Sequence, residues 1–475
     1  MLHLAKVLNS KGIHITFFNS EHNHSCLLKS RGPTSLAGSP SFYYDTFSDG
    51  LPPWDTANQP RSSFPLMRSL ELNSKELFEK LLLKLVELSS SSISGTPSVS
   101  VIIIDAILPF PLEIVPEFVD CPIVLFTPTS CSCFLGYSQF DALFHSGILP
   151  FQDDGFMTDG SLEVELDLEP ASMKGMRLRD LPSYIRTTDK NSHVFEYMKQ
   201  VMERCSERPI IFNTFTALDY EVLKDLSKVL FGPIFTVGPL HCLSDNSTQH
   251  ELISKPNDIG SNIWKEDSHC LQWLDSQNHN SVVYVSFGST TLMTREQLIE
   301  FAWGLANSNH PFLWVIRPDT IIGQSTTILP LEFENEVKGR GLIVSWCPQE
   351  KVLQHSSIAV FLTHCGWNSI LETISSGVPV ICWPFEGDHQ LISWFSCYKW
   401  GIGMELDIVA KRDQVERHIR EVLEEDIGRK LKMKALEWKK LAEKATSSSG
   451  SSSLEIQRFI DYVPSLQLVK NCSII

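Results

Sequence analysis

Long apolar runs are missing from this 475-residue chain. No stretch reaches the roughly 18 uninterrupted apolar residues of a membrane-spanning helix, so none is expected. The opening MLHLAKVLNSKG is amphipathic, and His3 and Lys6 interrupt it, so neither a secretory h-region nor a span is expected to begin there. Positive charge is also scarce: 40 Lys and Arg stand against 56 Asp and Glu, a formal net charge of -16. That balance argues against a nucleic acid as partner, because such binding draws on clustered cations. No G-x-G-x-x-G follows an early strand, which disfavours a dinucleotide-dependent oxidoreductase. The 12 cysteines lack metal-type spacing, and Cys131 with Cys133 makes only a C-x-C. Without a leader they read as reduced thiols, so the cytoplasm is the expected compartment. Asp167-Leu168-Glu169 comes closest to an acidic metal triplet and reads as solvated surface.

What is present is apolar material for two cores, 43% of the residues. Short apolar runs alternate with helical patterns, which predicts an α/β protein with parallel sheets covered by helices. In the first half the expected strands are Ile13–Phe18, Val99–Ile104, Ile123–Phe126 and Ile210–Phe212. The second half repeats the alternation with Val282–Phe287, a helix over Thr294–Ser308, then Phe312–Ile316, Gly341–Val344, Ile358–Leu362 and Val378–Trp383. Polar residues from His241 to Ser261 suggest a linker. The division is therefore residues 1–241, a linker over 242–262, and a second domain over 263–449. Lys411–Ala445 is helical by composition and ends at the Ser-Gly run Ser447–Ser453, which on composition alone would be a flexible tail.

The most informative stretch is Trp346–Gln390, WCPQEKVLQHSSIAVFLTHCGWNSILETISSGVPVICWPFEGDHQ. Ile358–Leu362 reads as a buried parallel strand, and Thr363-His364-Cys365-Gly366 turns it into the helical pattern Trp367–Ser375. A helix start at the carboxyl end of such a strand offers free N–H groups and a positive dipole end to an anion. Gly366 permits close approach, while His364, Asn368 and Ser369 add donors. Glu372 on the same helix is an acceptor suited to a diol, and Trp346 is an aromatic face suited to a base. Val282–Thr290 is a second strand and loop, whose Gly288 and Ser289 could add donors for a phosphate.

In order and spacing, these residues resemble the signature box of plant family-1 UDP-dependent glycosyltransferases, and the likeness extends through most of the chain. It implies two Rossmann-like doubly wound domains facing each other, the arrangement called GT-B, with a last helix over 454–463 crossing back onto the first domain. It implies that Trp346 stacks on the uracil, that Gln349 and Glu372 bind the ribose side, and that His364, Asn368 and Ser369 hold the diphosphate. Asp388 and His389 should hold the sugar hydroxyls. Cys347, Gly366 and Trp367 complete the expected UDP-sugar site with Gly288 and Ser289. Asp105, after the apolar run Val101–Ile104, corresponds to the acid that orients the catalytic histidine. No metal or other cofactor is implied, and a monomer is expected.

The family pattern also places a buried strand and a Gly-His-x-Asn-Pro loop ahead of the methionine that Met1 matches. The expectation is thus a first domain lacking its first strand, with the general-base histidine absent. His3 lies six positions past the expected base, roughly 9 Å along a helix, and His22 and His24 read as exposed loop histidines. The implied reaction is direct displacement with inversion, moving a hexose from UDP-sugar to a hydroxyl or carboxyl of a small lipophilic plant metabolite. His389 stands where glucose-using members have Gln, so UDP-galactose remains open beside the favoured UDP-glucose. The alternative is an impaired protein that binds UDP-sugar without turning it over. Asp49–Pro53, Thr127–Tyr137 and Met176–Arg186 are the expected acceptor-cleft segments, and SRGPTSLAGSP with MRLRDLPSYIRTTD resembles the branch acting on small terpenoids, iridoids and cyanohydrins.

Overall fold

A computed structural model describes residues 1–32, 35–36, 38–50, 69–90, 97–108, 110–118, 121–189, 192–246, 264–321 and 329–472. In the second half, β7 (Val282–Ser286), β8 (Phe312–Val315), β9 (Gly341–Val344), β10 (Ile358–Thr363), β11 (Val380–Cys382) and β12 (Gly403–Glu405) form a parallel sheet in the order β12-β11-β10-β7-β8-β9. Every residue of β7 and β10 is buried, as expected for strands covered on both faces. The helix Arg295–Ser308 lies against this sheet, with Phe301 packed among Val283, Val285 and Trp383. Thr294 and Gln297 cap it reciprocally, at 3.2 and 2.9 Å.

The strand order reverses between β7 and β10. Chain direction runs outward from β7 through β8 to β9, then returns to β10 and runs outward on the other side. In a doubly wound sheet that reversal opens a crevice at the carboxyl ends of the two central strands. Here those ends carry the Phe287-Gly288-Ser289 and Thr363-His364-Cys365-Gly366 loops. Topology therefore brings together two motifs some 75 residues apart, the usual ligand position in such folds.

The first half contains β1 (Ile15–Ser20) paired with β2 (Phe42–Phe47), and separately β3 (Ile102–Asp105), β4 (Ile123–Thr127), β5 (Ile210–Phe212) and β6 (Ile234–Thr236) in sequential order. All pairs are parallel. Among the described residues β1 and β3 are not hydrogen-bonded to each other, so the first-half strands form two separate sheets. Ile13 and Ile15 nevertheless share a core with Val101 and Ile103. Over that core lie the helix Leu2–Ser10, through Leu4, Val7 and Leu8, and the C-terminal helix, through Ile456 and Phe459.

Several expectations need correction. The C-terminal helix spans Ser451–Cys472, longer than 454–463, and it begins inside the Ser-Gly run. Ser452 is fully buried and donates to the Gly238 carbonyl at 2.5 Å, so these serines are fastened rather than a loose tail. Lys411–Ala445 is two helices, Arg412–Glu424 and Asp426–Thr446, broken at the extended Glu425. Gly428 makes the sharp crossing possible, because a Cβ there would run into the Val422 carbonyl. Leu240–Asn246 is a helix where the linker was to begin, and 247–263 lie outside the described residues. His22 and His24 lie on the helix Glu21–Arg31, not in a loop. The strands β2, β6 and β12 were not foreseen: β6 and β12 are three residues long, and β2, FYYDTF, has no period-2 pattern to mark it.

Candidate active site

The helix Trp367–Ser376 starts at Gly366 directly after β10. Its first turn presents Asn368, exposed, and Ser369, buried. Behind it runs a chain of hydrogen bonds: the Tyr284 hydroxyl donates to Gln349 Oε1 at 3.0 Å, and Gln349 Nε2 donates to Glu372 Oε2 at 2.7 Å and to Ser369 Oγ at 3.0 Å. Gln349 thus orients a carboxylate and a hydroxyl from the same helix, three residues apart. Burial raises the Glu372 pKa to about 8, with Glu350 adding to the rise and the Gln349 amide opposing it. A diol or a cation reaching this carboxyl would favour its ionised form.

His364 sits between two glycines. A side chain at Gly288 or Gly366 would strike the edge of its imidazole, and Gly288 also has φ 71°. The ring is buried, and burial with the nearby His389 and Arg317 drives its pKa down against an opposing contact with the Ser286 main chain. It is therefore neutral, standing at a helix N-terminus. The Gly288 loop is held from behind by Arg317, which donates to the carbonyls of Gly288 and Thr291, the latter at 3.0 Å, and pairs with Asp319 at 2.9 Å. Ser289 is exposed at the loop's tip.

His389 meets His364 edge to face, with ring centroids 4.8 Å apart. Its Nδ1 accepts the Glu386 N–H at 3.2 Å, and burial lowers its pKa to about 4. A neutral imidazole with Nδ1 so engaged carries its proton on Nε2, leaving a donor. Gln390 is 3% exposed, and its amide donates to the Phe385 carbonyl at 3.1 Å, so it is committed to its own loop. Asp388 accepts from Thr129 Oγ1 of the first half; burial raises its pKa while Thr129 and the Ser130 amide hold it back.

Trp346 is half-buried beside Trp264, centroids 6.4 Å apart, and its indole N–H is buried without a partner. Cys347 points the other way: its thiol lies 3.3 Å from the Tyr284 hydroxyl and contacts Cys270, so only its main chain is left for a ligand. Trp367 also faces away from the donor loop. Its indole donates to the Asn213 carbonyl of the first half at 3.0 Å, and its ring lies near Trp400. It therefore joins the two halves. Asp105 stands in the first half at the end of β3, accepting the Ile107 N–H at 3.0 Å, with its pKa raised by burial.

Most of the acceptor-cleft segments turn inward. Cys131, Cys133 and Phe134 are fully buried, as are Met176, Leu181 and Ile185, while residues 51–53 lie outside the described residues. Asp167 and Glu169 are exposed. Four polar residues of the site were not singled out: Tyr284, Arg317, and Thr129 and Ser183, the last two lying within expected acceptor-cleft segments. A tyrosine inside a buried strand and an arginine directly after FLWVI are local signals for the first two. The others have none, because their partners lie 259 and 204 residues away.

Residues 161–436 match the family described as UDP-glucoronosyl and UDP-glucosyl transferase. The chain is similar to a 7-deoxyloganetin glucosyltransferase from Gardenia jasminoides, 49% identical over 95% of this chain and 92% of the relative. It is also similar to an (R)-mandelonitrile beta-glucosyltransferase from Prunus dulcis, 47% identical over 98% and 94%. Among solved structures, Os79 from O. sativa in complex with UDP superposes with a TM-score of 0.75 at 25% identity, covering 97% of this chain and 96% of that one. The chain belongs to plant family-1 UDP-dependent glycosyltransferases, and its two facing halves are those of the GT-B fold. Among the described residues no helix is long and apolar enough to cross a membrane.

Proposed function

We propose that the protein transfers glucose from UDP-glucose to a hydroxyl of a small lipophilic plant metabolite, with inversion at C1. The observation that carries the donor side is the Tyr284–Gln349–Glu372 chain beside the His364 loop, a diol acceptor and an anion site built on one helix end. Trp346 offers its face to the uracil, and Glu372 accepts from the ribose hydroxyls. His364, Asn368, Ser369, Gly288 and Ser289 surround the diphosphate. Asp388 supplies an acceptor and His389 a donor for the hexose hydroxyls. The acceptor oxygen forms its bond to C1 from the face opposite UDP as the bond from C1 to the diphosphate breaks, and donors at the helix end stabilise the leaving charge.

A base must take the acceptor's proton. Burial holds His3 to a pKa of about 3, which makes it a poor base at neutral pH, and His22 is engaged with Cys26 at 3.5 Å. Asp105 fits the role of orienting a histidine base and steadying its imidazolium. Met1 lies close enough to Asp105 for their charges to interact, so a Gly-His-x-Asn-Pro loop joined ahead of Met1 would put its histidine near that carboxyl. The relatives are named glucosyltransferases, which favours transfer over the impaired-binder alternative and glucose over galactose. Their names also favour an iridoid-type or cyanohydrin hydroxyl as acceptor. Free thiols in mutual contact, Cys382 with Cys365 and Cys397, suit a reducing cytosol.

The test assays the chain as given, and the chain extended by that loop, with UDP-glucose and UDP-galactose against cyanohydrins, iridoid aglycones and terpenoid alcohols. The expected outcome is a β-glucoside by anomeric NMR coupling, faster with the extension by about 10²-fold or more, and unchanged by a chelator. A retained α-configuration, or no transfer from either form while UDP still binds, would overturn the reading.

A further inference from the structure

The loop that carries Asp388 and His389 is gripped from the first half. Ser183 donates its N–H to the Gly387 carbonyl at 2.8 Å and accepts the Gly387 N–H on its Oγ, also at 2.8 Å. This reciprocal pair fixes the two peptide units that flank Gly387, the second of which leads into Asp388. Gly387 has φ 69°, and a Cβ there would lie 3.3 Å from the Tyr184 hydroxyl, so the loop is shaped to receive the Ser183–Tyr184 segment. The segment is itself anchored. Arg177 binds Asp180 through two hydrogen bonds, at 2.8 and 2.9 Å, and reaches Glu405 at 3.1 Å, while Arg179 approaches the other Glu405 oxygen at 3.6 Å. Glu405 ends β12, level with Cys382 at the end of β11, and the chain runs from there into the gripped loop.

We propose that Ser183 is a positioning residue: with the Arg177–Tyr184 segment of the first half it sets the placement of the sugar-contacting loop Glu386–His389, and through it the recognition of the transferred hexose. This rests on the reading that Asp388 and His389 contact that hexose. The segment reaches the loop from the acceptor-binding half, so choice of sugar is divided between the two halves. The grip touches neither the Glu372–Gln349 chain nor Trp346, and it meets the diphosphate side only through the His389–His364 ring contact, so UDP alone should respond far less than UDP-glucose.

The experiment compares UDP-glucose with UDP in purified Ser183→Ala, Ser183→Thr and Asp388→Ala proteins. Ser183→Ala should raise the KM for UDP-glucose by about three- to tenfold, the scale of one lost hydrogen bond. It should narrow the preference between UDP-glucose and UDP-galactose, and leave the Kd of UDP within about twofold. Ser183→Thr, which keeps the oxygen, should restore most of the discrimination. Equal weakening of UDP and UDP-glucose by Ser183→Ala would mean a merely structural role, and an unchanged KM and preference would mean no role; either overturns the proposal. Asp388→Ala separates the two readings: if it leaves the UDP-glucose KM unchanged, sugar contact by this loop is wrong. If it raises KM while Ser183→Ala does not, only the positioning role fails. Should Ser183→Ala not fold, Glu405→Gln loosens the same segment from its other end and is read on the same ratio of UDP-glucose to UDP.

Discussion

The two halves of the molecule are built on the same principle and differ in how their strands are joined. The second half holds a continuous parallel sheet whose central strands, β7 and β10, pair directly and carry the donor loops at their adjoining ends. In the first half the corresponding centre is divided between β1 and β3, and the shared core depends on two helices from opposite ends of the chain, Leu2–Ser10 and Ser451–Cys472. The second half can therefore shape its nucleotide cradle from contacts inside one sheet. The first half relies on long-range cover, and it reaches the donor site through single residues such as Thr129 and Ser183.

The sharpest way to test this difference is to remove the cover. Phe459 is 1% exposed and packs edge-on to Phe235 with centroids 5.4 Å apart. Phe459→Ala should cost about 3–5 kcal/mol, the range for a buried aromatic truncated to alanine. If the halves differ as described, thermal unfolding should split, the first half melting early while UDP still shifts the later transition. A single transition that moves as one would show the halves to be equally dependent on that helix.

Glu372→Ala strikes the other half. It removes the proposed acceptor for the ribose and one of the two acceptors of the Gln349 amide, so UDP affinity by calorimetry should fall about 100-fold, as expected for losing hydrogen bonds to a charged group. The melting of the first half should not move. A loss below about threefold would remove Glu372 from the nucleotide site.

A smaller effect follows from the carboxyl's raised pKa of about 8. At neutral pH the free protein holds this carboxyl mostly protonated, whereas ribose hydroxyls favour the carboxylate, so UDP binding should release up to one proton. Affinity should rise with pH up to about 8 and then level off. The stability of the unliganded second half should run oppositely. A carboxyl whose folded pKa lies above its unfolded value contributes fully below the unfolded pKa and loses that contribution as pH rises through the folded one. Calorimetry in buffers of different ionisation enthalpy measures the proton count, and a pH-independent affinity in the wild type would contradict the assignment.

The smallest expected change is at the seam. Trp367→Phe keeps the ring buried and deletes the bond to the Asn213 carbonyl, leaving that carbonyl unpaired at a cost of about 1–2 kcal/mol. The affinity for UDP should stay within about twofold, because Trp367 faces the first half. A large loss of UDP binding would return this residue to the donor site, where the sequence pattern had put it.

Much of the donor side was legible in the chain because its signals are local. The burial of β10, the glycine at the helix start, and Ser369 with Glu372 three residues on are all properties of one strand-loop-helix unit, and hydrophobic periodicity reports such units directly. The strands β6 and β12 were not legible, since three residues carry too little periodicity. Cys347 and Trp367 show what spacing leaves out: each stands inside the motif, yet its side chain is turned to the core or to the other half. Spacing along a chain does not state which way a residue faces once a second domain packs against it.

The sequence by itself determined the class of fold, the donor motif and the residue types that can meet a base, a diol and a diphosphate, because these follow from patterns within a few turns of helix or strand. Only the tertiary structure decided which of those residues are free to act. Gln349 became the link between Tyr284 and Glu372, Gln390 was drawn into its own loop, and the Gly387–Asp388 turn came under the hold of Thr129 and Ser183. These outcomes depend on contacts made across the packed interface, and buried polar atoms take whichever partner that packing brings within hydrogen-bond distance.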